Sequence, residues 1–204
     1  MDGQEYLNQI SAKNRPLKAP KRGIFSSKYF IISAIGVGAL ILIIIIGSLL
    51  GGGKGGEKNT GSALILHLNN TTEEIQKYQL EIKSSDLRSS SASLQSLLST
   101  TSKDLTTYME EKYDFKDNKV EKKMLAEADA AKEELDAELF DAKITGALDR
   151  TFAHKMAYEI TLIQNEEVKM MKETKSDDVK SGLQKSYDSL EVLYPKFNDF
   201  SEAK

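Results

Sequence analysis

The 204-residue chain lacks cysteine and tryptophan altogether and contains only two histidines and three prolines. Without cysteine it can form neither disulfide bonds nor thiolate metal sites, so apolar packing must hold any fold together. A ferritin-type di-metal centre needs Glu-x-x-His motifs, and none occurs in the sequence. Phosphate-binding loops and dinucleotide-binding fingerprints are missing as well. These absences predict a protein that is not an enzyme and that uses neither a cofactor nor a metal.

Charge is missing from one long stretch, residues 31–50, which also contains no Asn, Gln or proline. A helix of about 20 residues is roughly 30 Å long, the thickness of the hydrocarbon core of a bilayer. We therefore predict one transmembrane helix over residues 29–50, with Tyr29 and Phe30 near the lipid headgroups. The span runs through Ile31, Ile35, Leu40, Ile44 and Leu50.

The charges before this span indicate its orientation. Residues 1–28 carry six Lys and Arg against Asp2 and Glu5, a net charge of +4. Because positively charged flanks stay on the cytoplasmic side, residues 1–28 are predicted to be a basic cytoplasmic tail. The rest of the chain then lies outside. The sequence thus predicts a single-pass protein of the cell membrane, with the lipid bilayer as its first partner.

Three kinds of processed leader are alternatives to an uncleaved anchor. A signal peptide has a shorter apolar core and an Ala-x-Ala cleavage site, and a lipoprotein anchor needs a cysteine. The run 21–25 (KRGIF) is similar to a type IV pilin cleavage site, but Lys28 stands where that family has glutamate. An uncleaved anchor is favoured, and a pilin-like filament subunit is the weaker alternative.

The chain beyond the span divides into a short glycine-rich part and a long helical part. Residues 51–62 include six glycines, which predicts a flexible spacer, and residues 63–204 are predicted to be the extracytoplasmic domain. From residue 51 onward the chain has 22 Lys and Arg against 29 Asp and Glu, a net charge of −7. Since nucleic-acid-binding domains present a basic face, nucleic acid is not expected as a partner.

Apolar residues after residue 62 recur every three or four positions, and no stretch alternates as a strand would. This pattern predicts five helical segments of roughly 20 to 28 residues with short connections. The predicted fold is all-α: an antiparallel bundle of four helices with one extra or split helix. Expected breaks lie at 84–86, at 113–118, at Gly146 and before Ser176.

Two local signals concern helix ends. Pro195 predicts an end or a kink of the last helix near Tyr194. Thr71 and Glu74 fit a capping box, whereas apolar residues before them indicate an earlier start, so the first boundary is left open.

Three short runs carry a family resemblance: residues 84–88 (SSDLR), 148–152 (LDRTF) and 176–180 (SDDVK). Over about residues 66 to 195 the chain resembles an exported bacterial ferritin-like four-helix family of unknown function. The resemblance implies a four-helix bundle, secreted or periplasmic. Members of that family place histidines on several inward faces, and the corresponding positions here are Leu98, Ile160 and Leu193. Any site formed by those histidines is therefore not expected in this chain.

The histidines and carboxylates present are better explained as surface residues than as ligands. His67 and His154 are predicted to lie in water or at the rim of the bundle. The third helix is acidic, and its pairs Glu134/Glu138 and Glu127/Glu134 could bind Ca²⁺ or Mg²⁺, but interleaved lysines favour an exposed face. Glu159 lies near the edge of an apolar stripe, where a position in water is favoured over a semi-buried functional one.

The second helix is rich in serine, with eight serines between residues 84 and 99. A serine nucleophile needs a base and an orienting group, for which two histidines offer few choices. Small hydroxyl side chains that allow close helix approach or form an adaptable surface are the favoured interpretation.

These observations favour a non-catalytic structural or interaction module of the cell envelope, which binds an envelope protein through the surface of its bundle. Two alternatives stay open: a ferritin-like metal- or ligand-binding domain and, more weakly, the pilin-like subunit.

Overall fold

The computed structural model describes residues 56–115 and 120–201, which belong to the second of two units into which the chain divides, Gly53–Lys204. All regular structure in these residues is helical, so the predicted all-α fold is confirmed for this part of the chain. The elements are α1 (Gly56–Tyr78, followed by a 3₁₀ turn, Gln79–Glu81), α2 (Ser85–Tyr113), α3 (Lys122–Thr145), α4 (Leu148–Glu173) and α5 (Asp177–Asn198).

The membrane predictions concern residues that the structure does not describe. Tail 1–28 and span 29–50, with Ile31, Ile35, Leu40, Ile44 and Leu50, lie outside the described residues. Within the described ranges, no helix combines the length and the apolar character that crossing a bilayer requires. The anchor therefore stays a prediction.

Four of the helices form a ring in which α1 packs on α2, α2 on α5, α5 on α4 and α4 on α1. Glu57, at the start of α1, contacts Lys112 near the end of α2. Asp149, at the start of α4, contacts Lys83 just beyond the end of α1. Neighbours around the ring therefore run antiparallel, as short connections between helices require.

The extra helix is α3, which lies outside the ring against α1 and α4. It runs parallel to α1: Asn70 donates a hydrogen bond to the Ala128 carbonyl, and about two turns further along both helices Lys77 contacts Asp136. Because α2 and α4 run in the same direction, the chain needs a return path between them, and α3 supplies it. The buried residues of α3 are Leu135, Leu139 and Ala142.

The core consists of the apolar residues that recur at helical spacing on the inner faces of the ring. Burying each of the larger side chains contributes on the order of 1.5–3 kcal/mol. Those with essentially no exposed surface include Leu64, Leu68, Ile75, Leu94, Leu98, Phe152, Met156, Ile160, Leu190 and Phe197.

Helix ends follow local signals in the sequence. Ser84 and Ser176 cap α2 and α5, since each side-chain oxygen accepts a hydrogen bond from the backbone N–H three residues further on. Gly146 ends α3 with φ of 77°, and Asp114 ends α2 with φ of 51°. The breaks predicted at 84–86, at Gly146 and before Ser176 are confirmed.

Two of the runs that carry the family resemblance meet in space. The buried carboxylate of Asp149 accepts hydrogen bonds from the backbone N–H groups of Lys83, at 2.9 Å, and Ser84, at 2.8 Å. It thereby satisfies donors before the start of α2 and ties the connection between α1 and α2 to α4.

The start of α1 corrects the spacer prediction. Residues 56–62 are helical, so a flexible spacer over 51–62 is wrong for this part, and 51–55 lie outside the described residues. Gly61 packs on α2, where an added Cβ would lie 2.7 Å from Met109 Sδ. Glycine at this position allows two helices to approach closely. A high glycine content alone does not show whether glycines serve close packing or flexibility. Thr71 and Glu74 lie inside α1 and are buried, so the boundary that the sequence left open is the earlier of the two alternatives.

Of the end or kink predicted near Tyr194, the end is wrong, because α5 continues through Pro195 to Asn198. Proline removes one backbone donor, but Pro195 is exposed, and water can satisfy the carbonyl group left without a partner. The next turn is held by Phe197, whose side chain is fully buried. The burial of this ring compensates for the lost hydrogen bond.

Candidate functional site

A histidine of α1 lies between two glutamates of α4. His67 Nε2 is 2.6 Å from a carboxylate oxygen of Glu159, and His67 Nδ1 is 3.0 Å from one of Glu166. The exposed fractions of the three side chains are 19 %, 14 % and 36 %. We call these three residues the His67 bridge.

Helix geometry explains how the His67 bridge forms. Glu159 and Glu166 are seven residues apart, so they lie on one face of α4, two turns or about 10 Å from each other. The antiparallel packing of α1 on α4 brings His67 level with the interval between them. The two nitrogens of an imidazole ring point in different directions, so one ring reaches both carboxylates.

The environment keeps this imidazole charged. Burial lowers the pKa of His67, but the negative charge of Glu166 and the hydrogen bonds to both glutamates outweigh it and raise the pKa well above its ordinary value. In the imidazolium form both ring nitrogens donate hydrogen bonds, which matches the two observed contacts. Such a ring has no free lone pair with which to bind a metal or to accept a proton. The arrangement is suited to joining α1 to α4.

The prediction that Glu159 lies in water is wrong, because its side chain is 14 % exposed, whereas His67 lies at the rim of the bundle, one of the two positions predicted for it. His67 is three residues after Leu64 and four before Thr71, both buried, so it lies on the inward side of α1. This spacing was visible in the sequence. The partners on α4, however, are 92 and 99 residues away, and no local signal indicates them. The prediction for the other histidine, His154, is confirmed, because it is exposed.

Glu167, the next residue after the bridge, lies inside the ring with no exposed surface. Neither carboxylate oxygen has a hydrogen-bond partner among the described residues. Burial raises the pKa of Glu167 to about 7; the nearby Ser186 hydroxyl opposes this increase without reaching hydrogen-bond geometry, and the charge of Glu166 adds to it. Ser186 itself accepts a hydrogen bond of 2.9 Å from Thr101 of α2. The core therefore contains a carboxyl group that titrates near neutral pH.

Another glutamate, Glu57, is partly buried and lies in a dense set of donors where α1 begins. Its carboxylate accepts hydrogen bonds from Lys112 and Tyr113 of α2 and from Thr174 after α4, each at 2.8 Å. Tyr108 is a fourth donor. Burial raises the pKa of Glu57, but these bonds, that of Lys112 foremost, outweigh it and lower the pKa to about 2. We call these five residues the Glu57 cluster.

A third carboxyl group joins α1 to the outer helix α3. Glu74 is 3 % exposed, and burial together with the neighbouring charge of Asp136 raises its pKa. Asp136 accepts hydrogen bonds from Lys77 and, at 2.6 Å, from Tyr78. The hydrogen bond from Lys77 first, and that from Tyr78 next, lower the pKa of Asp136. The contacts of Lys77 and Tyr78 with Asp136 link the two helices.

The acidic residues of α3 are not assembled into a ligand set. Glu138 pairs with Lys155 of α4, and Glu127 lies 3.7 Å from Lys123 on its own helix. In residues 56–115 and 120–201, no three His, Asp or Glu side chains are arranged so that they could hold a metal ion. Of the lysines interleaved with these carboxylates, Lys123 pairs within α3, whereas Lys132 and Lys143 pair with Glu73 of α1 and Glu81 of the 3₁₀ turn.

The serine-rich helix α2 has two different faces. Toward the bundle, Ser91 donates a hydrogen bond to the Leu87 carbonyl, and Ser102 donates one of 2.6 Å to Asn69 of α1. The other face is exposed and borders an open groove of about 520 Å³ between α2 and α5. This groove is lined by Ser93, Ser96, Leu97, Thr100, Ser189, Val192 and Leu193.

The positions at which the resembled family has histidines are occupied here by core residues. Leu98, Ile160 and Leu193 are buried on α2, α4 and α5. Apolar side chains at these positions leave no nitrogen ligand there. The chain matches no family model, no curated protein and no solved structure. The ferritin-like relationship therefore stays a prediction.

Proposed function

We propose that this protein is an interaction module of the cell envelope, anchored through residues 29–50, which binds another envelope protein and catalyses no reaction. The apolar run and its basic flank support the anchor. The interior polar groups support a scaffold role, since the His67 bridge and the Glu57 cluster both join helices. Binding is then assigned to the surface of the bundle.

The observation that carries this proposal is a group of large apolar side chains left in water. Leu80 is 83 % exposed, Phe140 53 % and Ile144 69 %. Contacts of Lys77 with Asp136 and of Glu81 with Lys143 place the 3₁₀ turn beside the last turns of α3, so the three side chains share one region. We call it the end surface. Exposed apolar groups of this kind mark binding sites.

The end surface lies at one end of the bundle. It lies where α1 ends, and α1 has 23 residues, so the surface is about 33 Å along the helix from Gly56.

The test is photo-crosslinking in intact cells with the full chain. A photoreactive amino acid at position 140 should give a discrete crosslinked protein, whereas the same group at position 158, a partly exposed tyrosine on α4, should not. Substituting Leu80→Ser together with Ile144→Ser should remove the crosslink by at least about tenfold, because the apolar contact area is lost.

Two results would contradict the proposal. One is equal crosslinking from positions 140 and 158, which would mean that the end surface has no specific partner. The other is reproducible turnover of a substrate by the purified chain. Protease added to sealed cells should also degrade the bundle, and full protection would contradict the predicted orientation.

A further inference from the structure

The groove between α2 and α5 is a second exposed feature, remote from the end surface. Residues 89–102 of α2 contain no charged residue, in a chain in which 29 % of residues are charged. Val192 on the other side of the groove is 66 % exposed. Protein interfaces are depleted of charge at their centres, and this face has that composition.

Charged residues flank the groove on both helices, and their charges have opposite signs on α2 and α5. On α2, Asp86 is seven residues before Ser93 and Asp104 is four residues after Thr100, so both continue the row that lines the groove. Acidic residues therefore flank this row. Lys103 lies about 70° from the centre of the row, toward open solvent.

On α5 the flanking residues are basic. Lys185 is four residues before Ser189, and Lys196 is four residues after Val192, so both continue the α5 row. Asp188 and Glu191 each lie about 100° around the helix from the neighbouring groove residue. All four flanking side chains, on both helices, are exposed, and none forms an ion pair within the described residues.

From this complementarity we infer that the α2–α5 groove binds the same groove of a second copy of this chain. A twofold axis parallel to the helices would place the acidic row of each α2 on the basic row of the partner's α5. Such an axis brings no two rows of like charge together, and it places the first turn of α1 in both copies at the same end. Two copies anchored in one bilayer require that arrangement.

The helix register supports the pairing. The hydrogen bond between Thr101 and Ser186 fixes the heights of α2 and α5 relative to each other. At 1.5 Å per residue, Lys185 stands about 3 Å from the height of Asp104, and Lys196 about 8 Å from that of Asp86. An axis parallel to the helices preserves heights, so the same offsets hold between copies. Lysine side chains are long enough to bridge them.

Charge reversal tests this inference on the full chain in detergent micelles and in liposomes. Variant A carries Lys185→Glu and Lys196→Glu, and variant B carries Asp86→Lys and Asp104→Lys. Each variant alone would place like charges against each other, so each should be monomeric by sedimentation equilibrium. An equimolar mixture of A and B should form dimers again, at least tenfold more tightly than either alone.

The outcomes separate this inference from its alternatives. A wild-type chain that stays monomeric in both media overturns it. A wild-type dimer that neither A nor B weakens overturns it too, because another part of the chain would then hold the copies together. Circular dichroism at 222 nm checks that A and B are folded, and Lys122→Glu, at an exposed position of α3, is the control charge reversal that should leave the dimer unchanged. The end-surface variant Leu80→Ser, Ile144→Ser should dimerise normally, so failure of one proposal leaves the other standing.

Discussion

Glu57 and Glu167 are both largely buried between helices, yet their pKa values lie on opposite sides of the ordinary one, at about 2 and about 7. The cause is the number of donors around each carboxylate. Glu57 accepts hydrogen bonds from four side chains, whereas neither oxygen of Glu167 has a partner within the described part of the chain. Burial alone therefore does not determine what a carboxyl group contributes to this fold.

The two glutamates also change the stability of the fold with pH in opposite directions. For Glu57 the folded-state pKa lies below the unfolded one, so its contribution to stability is present above pH 4.5 and is lost as pH falls toward 2. For Glu167 the folded-state pKa is the higher one. Its contribution is present below pH 4.5 and is lost as pH rises to about 7. One glutamate stabilises the bundle at neutral pH, and the other limits its stability there.

The largest expected effect is that of Glu57→Ala. Four donors lose their acceptor, so the free energy of unfolding at pH 7 should fall by about 3–4 kcal/mol. Urea unfolding of the full chain in detergent, followed by circular dichroism, measures this. The deficit of Glu57→Gln relative to wild type should shrink as pH falls from 4.5 toward 2. A loss below about 1 kcal/mol would show that the Glu57 cluster is not a stabilising network.

Glu167→Gln should act in the opposite direction. The amide keeps the shape of the side chain but cannot ionise, so at pH 8 the variant should be more stable than wild type by about 3 kcal/mol, the free energy of a shift from 4.5 to 7. At pH 4.5 the two chains should unfold at the same urea concentration. Destabilisation at both pH values would mean that the carboxyl group has partners that substitution removes.

His67→Gln should cost about 2 kcal/mol at pH 7, because Glu159 and Glu166 lose the cation between them. Burial lowers the pKa of His67, but the two glutamates outweigh burial and raise the pKa well above 6.5. The bridge therefore stabilises the fold below pH 6.5 and loses this effect only as pH passes the raised value. The difference from wild type should therefore narrow in alkaline solution. His154→Gln, at an exposed position, is the control and should change stability by less than about 0.5 kcal/mol.

The smallest effect is expected for Glu81→Gln. Its ion pair with Lys143 measures 2.6 Å, but both side chains are about two-fifths exposed. Water screens such a pair, so the change in unfolding free energy should be below about 0.5 kcal/mol. An effect comparable with that of Glu57→Ala would mean that ion pairs stabilise α3 independently of its small apolar face.

Much of the bundle was predictable because the signals are local. Apolar spacing predicts the helices, and Ser84, Gly146 and Ser176 indicate where they begin or end, since capping depends on residues a turn apart. The exceptions have tertiary causes. Gly61 serves the contact with Met109 rather than flexibility, and burial of Phe197 carries α5 past Pro195.

The candidate site was the part that local reasoning could not reach. His67 meets glutamates more than 90 residues away, and the donors to Glu57 come from α2 and from the residue that follows α4. The packing of α1, α4 and α5 decides which glutamate of α4 points into the interior of the ring and which one points toward α1. The sequence of one helix does not show which of its acidic residues will have hydrogen-bond donors on neighbouring helices.

By itself, the sequence determined a helical domain preceded by an apolar segment, because helical periodicity and hydropathy are properties of consecutive residues. Only the tertiary structure decided that α3 lies outside the ring, that one histidine joins two glutamates, and that Glu167 is enclosed without a donor. Hydrogen bonding and dielectric environment are set by groups distant in the chain. The charge state of each buried group, and with it the pH response of the fold, therefore follows from packing.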